Sequence, residues 1–147
     1  MFTGWSIHVL DAKGRLAVPT RFRDALREGA GEERLVITAS DNCLVAYPYA
    51  EWNAIAEKVS RLSKVDPRVQ AFRRYFISGA SDQTLDKQGR ALIPPALREV
   101  AGLDGQIFLV GMQGNFEIWD KDRYQAERER IRQSFGDLSS FMAELGV

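Results

Sequence analysis

The segment Gly4-Trp5-Ser6-Ile7-His8-Val9-Leu10-Asp11-Ala12-Lys13-Gly14-Arg15-Leu16-Ala17-Val18-Pro19 returns as Gly79-Ala80-Ser81-Asp82-Gln83-Thr84-Leu85-Asp86-Lys87-Gln88-Gly89-Arg90-Ala91-Leu92-Ile93-Pro94, at a constant offset of 75 residues. Gly, Ser, Leu, Asp, Gly, Arg and Pro coincide, and Arg23 matches Arg98 further on. Val18/Ile93 and Phe22/Leu97 match in kind. An internal repeat of this length organises a whole chain, so it is read before any single motif.

The repeat continues after a slip of three residues. Leu35-Val36-Ile37-Thr38 aligns with Ile107-Phe108-Leu109-Val110, and Leu44-Val45-Ala46-Tyr47 with Phe116-Glu117-Ile118-Trp119, both at offset 72. The extra residues fall in Glu28-Gly29-Ala30-Gly31-Glu32-Glu33, a loop composition in which insertions cost little.

Each copy thus reads as the same series of parts. A strand (5–10, 80–85) runs into an Asp-x-x-Gly turn. A second strand follows (15–18, 90–93), then Pro and a short helix (20–28, 95–101). Two more strands come next (35–38 and 44–47, 107–110 and 116–119), then a helix (50–63, 121–134). Pro95 suits a first helical position and Gly102 a C-terminal cap. Trp52, Ile55, Ala56, Val59 and Leu62 share one helical face. Asp66-Pro67 starts a further helix with Val69, Phe72 and Phe76 on one side, and Asp137 caps a last one, Leu138 to Leu145. The organisation is a first repeat with its trailing helix at 2–63, a connecting helix at 64–76, a second repeat with trailing helix at 77–134, and a helical tail at 135–147. Four short strands are too few to close a barrel, whereas two copies suffice. The expected class is α+β: a pseudo-dimeric, swapped-hairpin β-barrel built by two internal repeats, with flanking helices.

The Asp-x-x-Gly-Arg unit is the recurring polar feature. Asp11 and Gly14, like Asp86 and Gly89, are spaced as the ends of a type I turn, with the carboxylate free to accept turn amides and Gly tolerating positive φ. Arg15 and Arg90 leave these turns at fixed positions. Two readings compete for them. In one they pair with Asp11 or Asp86 and lock the hairpins together. In the other a rigid turn presents Arg15 and Lys13 to an external anion.

The 147 residues are 45% hydrophobic and 27% charged, a balance typical of a globular domain. One histidine and one cysteine give no zinc cluster and no internal disulfide. No apolar run reaches a membrane span, and the first residues lack a signal-peptide pattern. A reduced, cytoplasmic protein with no cofactor, no metal, no membrane contact and no small-molecule substrate is expected. Net charge is zero, with 20 basic and 20 acidic residues, but 15 of the basic residues are Arg. Arg suits bidentate recognition of phosphate and guanine, and also ion pairs between subunits. Ala12 to Arg23 holds Lys13, Arg15, Arg21 and Arg23 with no acid; Lys87 to Arg98 holds Lys87, Arg90 and Arg98 with none. The compensating acids lie elsewhere in sequence, Glu28, Glu32 and Glu33 among them. A neutral protein can carry a positive face in this way.

Other residues read as structural. His8 is a sheet histidine, Cys43 a buried thiol, and Trp5, Trp52 and Trp119 core or interface aromatics. Gln113-Gly114-Asn115 is a turn rather than a phosphate loop. Arg73-Arg74 fits an intersubunit ion pair better than a DNA contact. Glu127-Arg128-Glu129-Arg130 is a solvated helix face. No nucleophile or acid–base pair emerges for an enzyme.

The doubled segment, Leu10 to Arg23 and Leu85 to Pro94, resembles the MraZ family, whose members carry two AbrB-like (SpoVT-AbrB) domains with an Asp-x-x-x-Arg motif in each. Tyr47-Pro48 and Phe116-Glu117-Ile118-Trp119-Asp120 look like the family's matching strand ends. The likeness runs from Phe2 to about Tyr124. It implies a DNA-binding transcriptional regulator in the cytoplasm and nucleoid, a homo-oligomeric ring, and double-stranded operator DNA with short direct repeats upstream of its own division and cell-wall operon. Carried onto this chain, Lys13, Arg15 and Arg90 lead the DNA-contacting set, with Arg21, Arg23, Lys87 and Arg98 beside them. Asp11, Gly14, Asp86 and Gly89 build the turns. The second copy departs from the first, with Gln88 for Lys13 and Ala96 for Arg21, so the first is expected to carry more of the binding. The competing reading is an oligomeric interaction module whose arginines are subunit clamps.

Overall fold

A computed structural model describes residues 1–147. Eight strands form: β1 (Trp5–Val9), β2 (Arg15–Ala17), β3 (Arg34–Ala39), β4 (Leu44–Pro48), β5 (Ser81–Thr84), β6 (Arg90–Leu92), β7 (Gln106–Gly111) and β8 (Phe116–Asp120). Six helices accompany them: α1 (Thr20–Ala30), α2 (Tyr49–Ser60), α3 (Pro67–Phe72), α4 (Pro95–Ala101), α5 (Lys121–Gln133) and α6 (Phe135–Leu145).

The two copies trade strands. The main sheet is antiparallel and six-stranded, in the order β1-β7-β8-β4-β3-β5. The first copy's β1 pairs with the second copy's β7, Val9 opposite Gln106. The second copy's β5 pairs with the first copy's β3, Thr84 opposite Arg34. Moving Val9 forward by 75 and Gln106 back by 72 gives Thr84 and Arg34, so the pairing obeys the repeat. A separate ribbon joins β2 to β6, Leu16 opposite Ala91. Neither copy has a sheet of its own: the fold is α+β and pseudo-dimeric, with swapped hairpins. The sheet keeps two edges, β1 and β5, so backbone pairing does not close it into a ring.

Alternation along the strands sorts side chains into two layers. Leu35, Ile37, Ile107, Leu109, Phe116 and Ile118 enter one core with Leu16, Phe22, Leu26, Ile93 and Leu97. Each such side chain contributes about 1.5–3 kcal/mol on full burial. Phe2, Phe22 and Phe116 meet at its centre, with ring centroids 4.9–5.4 Å apart. Phe108, Val110, Trp119 and Cys43 face the other way, where Tyr124 of α5 packs on them. On the same face of the first copy, Thr38 donates its hydroxyl to the Phe76 carbonyl at 2.6 Å.

Details depart from the sequence expectation at element ends. Asp66 does cap α3, accepting the Arg68 amide at 2.8 Å. Yet α3 widens into a π-helical turn, Arg73–Ile77, closed by the Ser78 amide on the Arg73 carbonyl. This brings Phe76 against Trp52 and Tyr47, while the Tyr75 hydroxyl donates to the Ser40 carbonyl. Leu62 lies beyond α2 and is exposed. Asp137 is not a cap: α6 starts at Phe135, because Ser134 alone, with φ −103° and ψ 24°, separates it from α5. Of the two places expected for Trp5, core or interface, the core is excluded: it is 57% exposed, and Arg128 lies over its ring at 4.6 Å.

Candidate nucleic-acid interface

Each turn is built by its aspartate. Asp11 Oδ1 accepts the amides of Lys13 and Arg15, both at 2.9 Å, while Oδ2 takes Arg15 Nε at 2.7 Å. The Gly14 amide closes the turn on the Asp11 carbonyl. The second copy repeats this geometry: Asp86 Oδ1 accepts Gln88 and Arg90 amides at 2.9 Å, and Oδ2 takes Arg90 Nε at 2.8 Å. The Arg15 amide above all, with its side chain and the Lys13 amide, holds the Asp11 carboxyl at about 2. Asp86 is lowered by the corresponding donors, the Arg90 amide first. Both carboxylates therefore stay ionised at neutral pH.

The β2–β6 ribbon sets the turns side by side. Val18 donates its amide to the Gly89 carbonyl and Ile93 to the Gly14 carbonyl, each at 3.0 Å, so each turn is tied to the other copy's strand. Arg90 Nη1 comes within 3.8 Å of Asp11 Oδ2. The clamp geometry expected of Arg15 and Arg90 is thus present: within each turn it uses Nε, and across the turns Arg90 Nη1 approaches Asp11. The terminal nitrogens of Arg15 make no hydrogen bond within the chain. One guanidinium can therefore brace its turn and still present a fork to an anion.

The remaining basic residues divide. Lys13 and Lys87 stand exposed with no carboxylate partner. Arg21 is exposed, its guanidinium 5.1 Å from the Phe22 ring centroid. Arg23 gives Nε and Nη2 to the Glu33 carboxylate, at 2.7 and 3.2 Å. Arg98 lies against Gly14 with its Nε buried and unbonded. The windows without acid in sequence do not stay so in space: Asp11, Asp86 and Glu33 fold back onto Arg15, Arg90 and Arg23. The role of Glu33 was not legible, since it depends on the chain crossing that brings it beside the second turn, where its carbonyl also accepts the Leu85 amide. The one signal lay in the alignment at offset 72, which sets Glu33 of the first copy against Gly105 of the second.

A second polar bridge went unforeseen. Gln83 of β5 takes the Leu92 amide on Oε1 and gives Nε2 to the Leu92 carbonyl, both at 2.6 Å, joining the sheet edge to the ribbon. Its counterpart is His8, which instead meets Ser6 Oγ at 2.7 Å. Burial, helped by Arg21, lowers the pKa of His8. Burial pushes the Cys43 thiol up to about 12, so it is no nucleophile. Arg73 and Arg74 form no ion pair within the chain and border an open concavity with Lys64. No group of three His, Cys, Asp or Glu residues could hold a metal, and no helix is long and apolar enough to cross a membrane.

The chain matches the family model described as "MraZ protein, putative antitoxin-like" twice, over residues 1–75 and 76–143. A protein of Syntrophobacter fumaroxidans named transcriptional regulator MraZ is 47% identical over 146 residues, covering 99% of this chain and 97% of that one. Proteins of the same name from Acetivibrio thermocellus and Desulfitobacterium hafniense are each 40% identical over the whole of both chains.

Proposed function

Because the chain belongs to the MraZ family, we propose that it is a DNA-binding transcriptional regulator, not an enzyme, and that it grips the duplex with its paired Asp-x-x-x-Arg turns. One observation carries this reading: two rigid turns stand side by side on one ribbon, each bearing an exposed lysine and an arginine whose Nε alone braces the turn. Such a ribbon can enter a major groove, where an Arg fork reads guanine O6 and N7 at about 1–3 kcal/mol per good pair. Lys13, Arg15, Lys87 and Arg90 form the leading contacts, with Arg21 and Arg98 on phosphates. Arg23 joins them only where Glu33 releases it.

The target is an operator with short direct repeats upstream of the protein's own division and cell-wall operon, and the protein works in the cytoplasm at the nucleoid. A single ribbon offers few contacts, so several linked subunits on successive repeats supply the affinity. A homo-oligomeric ring meets that need. Supporting it, α6 displays Phe135, Leu138, Phe141 and Leu145 in one stripe, each more than a third exposed, a surface that a lone subunit leaves wet. The approach of Arg90 to Asp11 favours a second reading, in which the arginines are clamps only.

Fluorescence anisotropy separates the two. The probes are the DNA upstream of this gene and a shuffled duplex, with wild type and Arg15→Ala compared and oligomer mass followed in parallel. The regulator reading expects preference for the native duplex, lost in a variant of unchanged mass. Equal weak binding to both probes, or a variant that dissociates, leaves the arginines as clamps.

A further inference from the structure

The two turns share a backbone but not what stands behind them. Arg23 and Arg98 occupy matching places in α1 and α4, and each crosses to the other copy's turn. A Cβ on Gly14 would lie 2.6 Å from Arg98 Cζ, and a Cβ on Gly89 2.6 Å from Arg23 Cζ. Behind Arg23 sits Glu33, which accepts Arg23 Nε at 2.7 Å and Arg27 Nη1 at 2.9 Å. The sheet register puts Gly105 at the place of Glu33 in the second copy, for Val9–Gln106 maps onto Thr84–Arg34. Glycine offers no carboxylate, and Arg98 forms no ion pair at all, with its buried Nε unbonded. The first turn therefore gathers Lys13, Arg15 and Arg98 around Asp11 as its one carboxylate, with Arg90 reaching the same Asp11 from the second turn. The second gathers Lys87, Arg90 and Arg23 around Asp86 and Glu33.

We infer that Glu33 is a built-in attenuator: it neutralises Arg23 and holds it away from the nucleic-acid backbone, so that the first turn, backed by the free charge of Arg98, is the phosphate-gripping turn and the second is subordinate. The inference rests on the DNA-binding reading above. Its physical basis is counter-charge. Arg23 spends Nε and Nη2 on both oxygens of Glu33 and must give up that bidentate partner before it can displace counterions from DNA, whereas Arg15 keeps its terminal nitrogens and Arg98 has no carboxylate to release. Arg27 adds to the hold, since it anchors the same Glu33 carboxylate to α1 from a second side. The inequality comes from a residue difference just before β3 and β7, Glu33 against Gly105, rather than from the Asp-x-x-x-Arg spacing, which is the same in both copies.

The test measures the salt dependence of affinity for one duplex, the DNA upstream of this gene, between 50 and 200 mM salt, for wild type, Arg98→Gln, Glu33→Gln and the double variant Glu33→Gln/Arg23→Gln. Thermal melts confirm that each is folded. Each phosphate contact carries a log–log slope of about 0.9, which over this range is about a 3.5-fold change in the affinity ratio. Arg98→Gln is expected to narrow the ratio by about 3.5-fold. Glu33→Gln, which keeps size and a hydrogen-bond acceptor, is expected to widen it by about as much, and the double variant to lose that gain. A wild type with no salt dependence overturns the DNA-binding reading and this inference with it. A steep wild type whose ratio is unmoved by Glu33→Gln overturns the attenuator alone, and so does a gain that survives in the double variant. Should Arg98→Gln melt at low temperature, the Glu33 arms decide by themselves.

Discussion

Replacing Gly14 by alanine tests how the turn and its crossing arginine are coupled. Gly14 has φ +82°, a left-handed conformation. A side chain there costs about 1–2 kcal/mol. The new methyl would also meet the Arg98 guanidinium, with Cζ at 2.6 Å and Nη1 at 2.7 Å. That guanidinium is the end of a flexible side chain with no ion pair to hold it, so it swings off the turn and relieves the clash. The backbone strain remains. The expected loss is about 1–2 kcal/mol, or about 2–8 °C in Tm for a chain of this size. Urea denaturation at fixed protein concentration reads it, with Arg98→Ala and the double variant completing a cycle. Arg98→Ala should cost less in the Gly14→Ala background, because the arginine has already left its seat, and the coupling should exceed about 0.5 kcal/mol. At Gly89, φ +75°, Arg23 is pinned by Glu33 and cannot swing away, so Gly89→Ala should destabilise more than Gly14→Ala. A Gly14→Ala protein as stable as wild type, an additive cycle, or the reverse order of the two glycines would refute the reasoning.

Asp11 titrates at about 2 when folded against an ordinary 3.8, so its stabilising effect is complete above pH 4 and is lost as pH falls from about 4 through about 2; Asp11→Asn should flatten acid denaturation in that window. His8 has a pKa below its ordinary 6.5, so stability should decline as pH falls from 6.5 through the lowered value, and His8→Gln should abolish that decline. The glutamine should also copy Gln83 by bridging to the Ala17 backbone, raising stability by about 1 kcal/mol in calorimetry; no gain would show that the two edges are not equivalent. Cys43, 1% exposed with its thiol pushed up to about 12, should resist iodoacetamide at pH 8 in the native protein and react once denatured.

The architecture was legible because the chain states it twice. The repeat gave the order of parts, and four strands per copy, too few for a barrel, implied that the copies combine, as the β1–β7 and β3–β5 pairings show. Pro95 and Gly102 marked α4 to the residue, since the start and stop chemistry is local. The π-helical turn was not legible: it answers to Phe76 packing on Trp52, a contact between distant segments. The start of α6 was missed because Asp137 is a good cap in isolation, whereas Ser134 takes that place directly after α5. At the site, the aspartates announced their turns through spacing alone. Counting charge in windows failed, because Glu33 lies ten residues from Arg23 in sequence and 2.7 Å away in space. Charge balance at a site belongs to the fold, and linear composition reports only its total.

The central claim is that exposed cations on the paired turns meet DNA. Lys13 tests it most directly, because it is exposed, unpaired, and gives the turn only its backbone amide. The measurement is the salt slope of binding to the DNA upstream of this gene for Lys13→Gln against wild type. The account predicts an unchanged melting temperature and oligomer mass, with the slope reduced by about 0.9 for each subunit that contacts the duplex. A Lys13→Gln protein that binds the same duplex with the wild-type slope would contradict it.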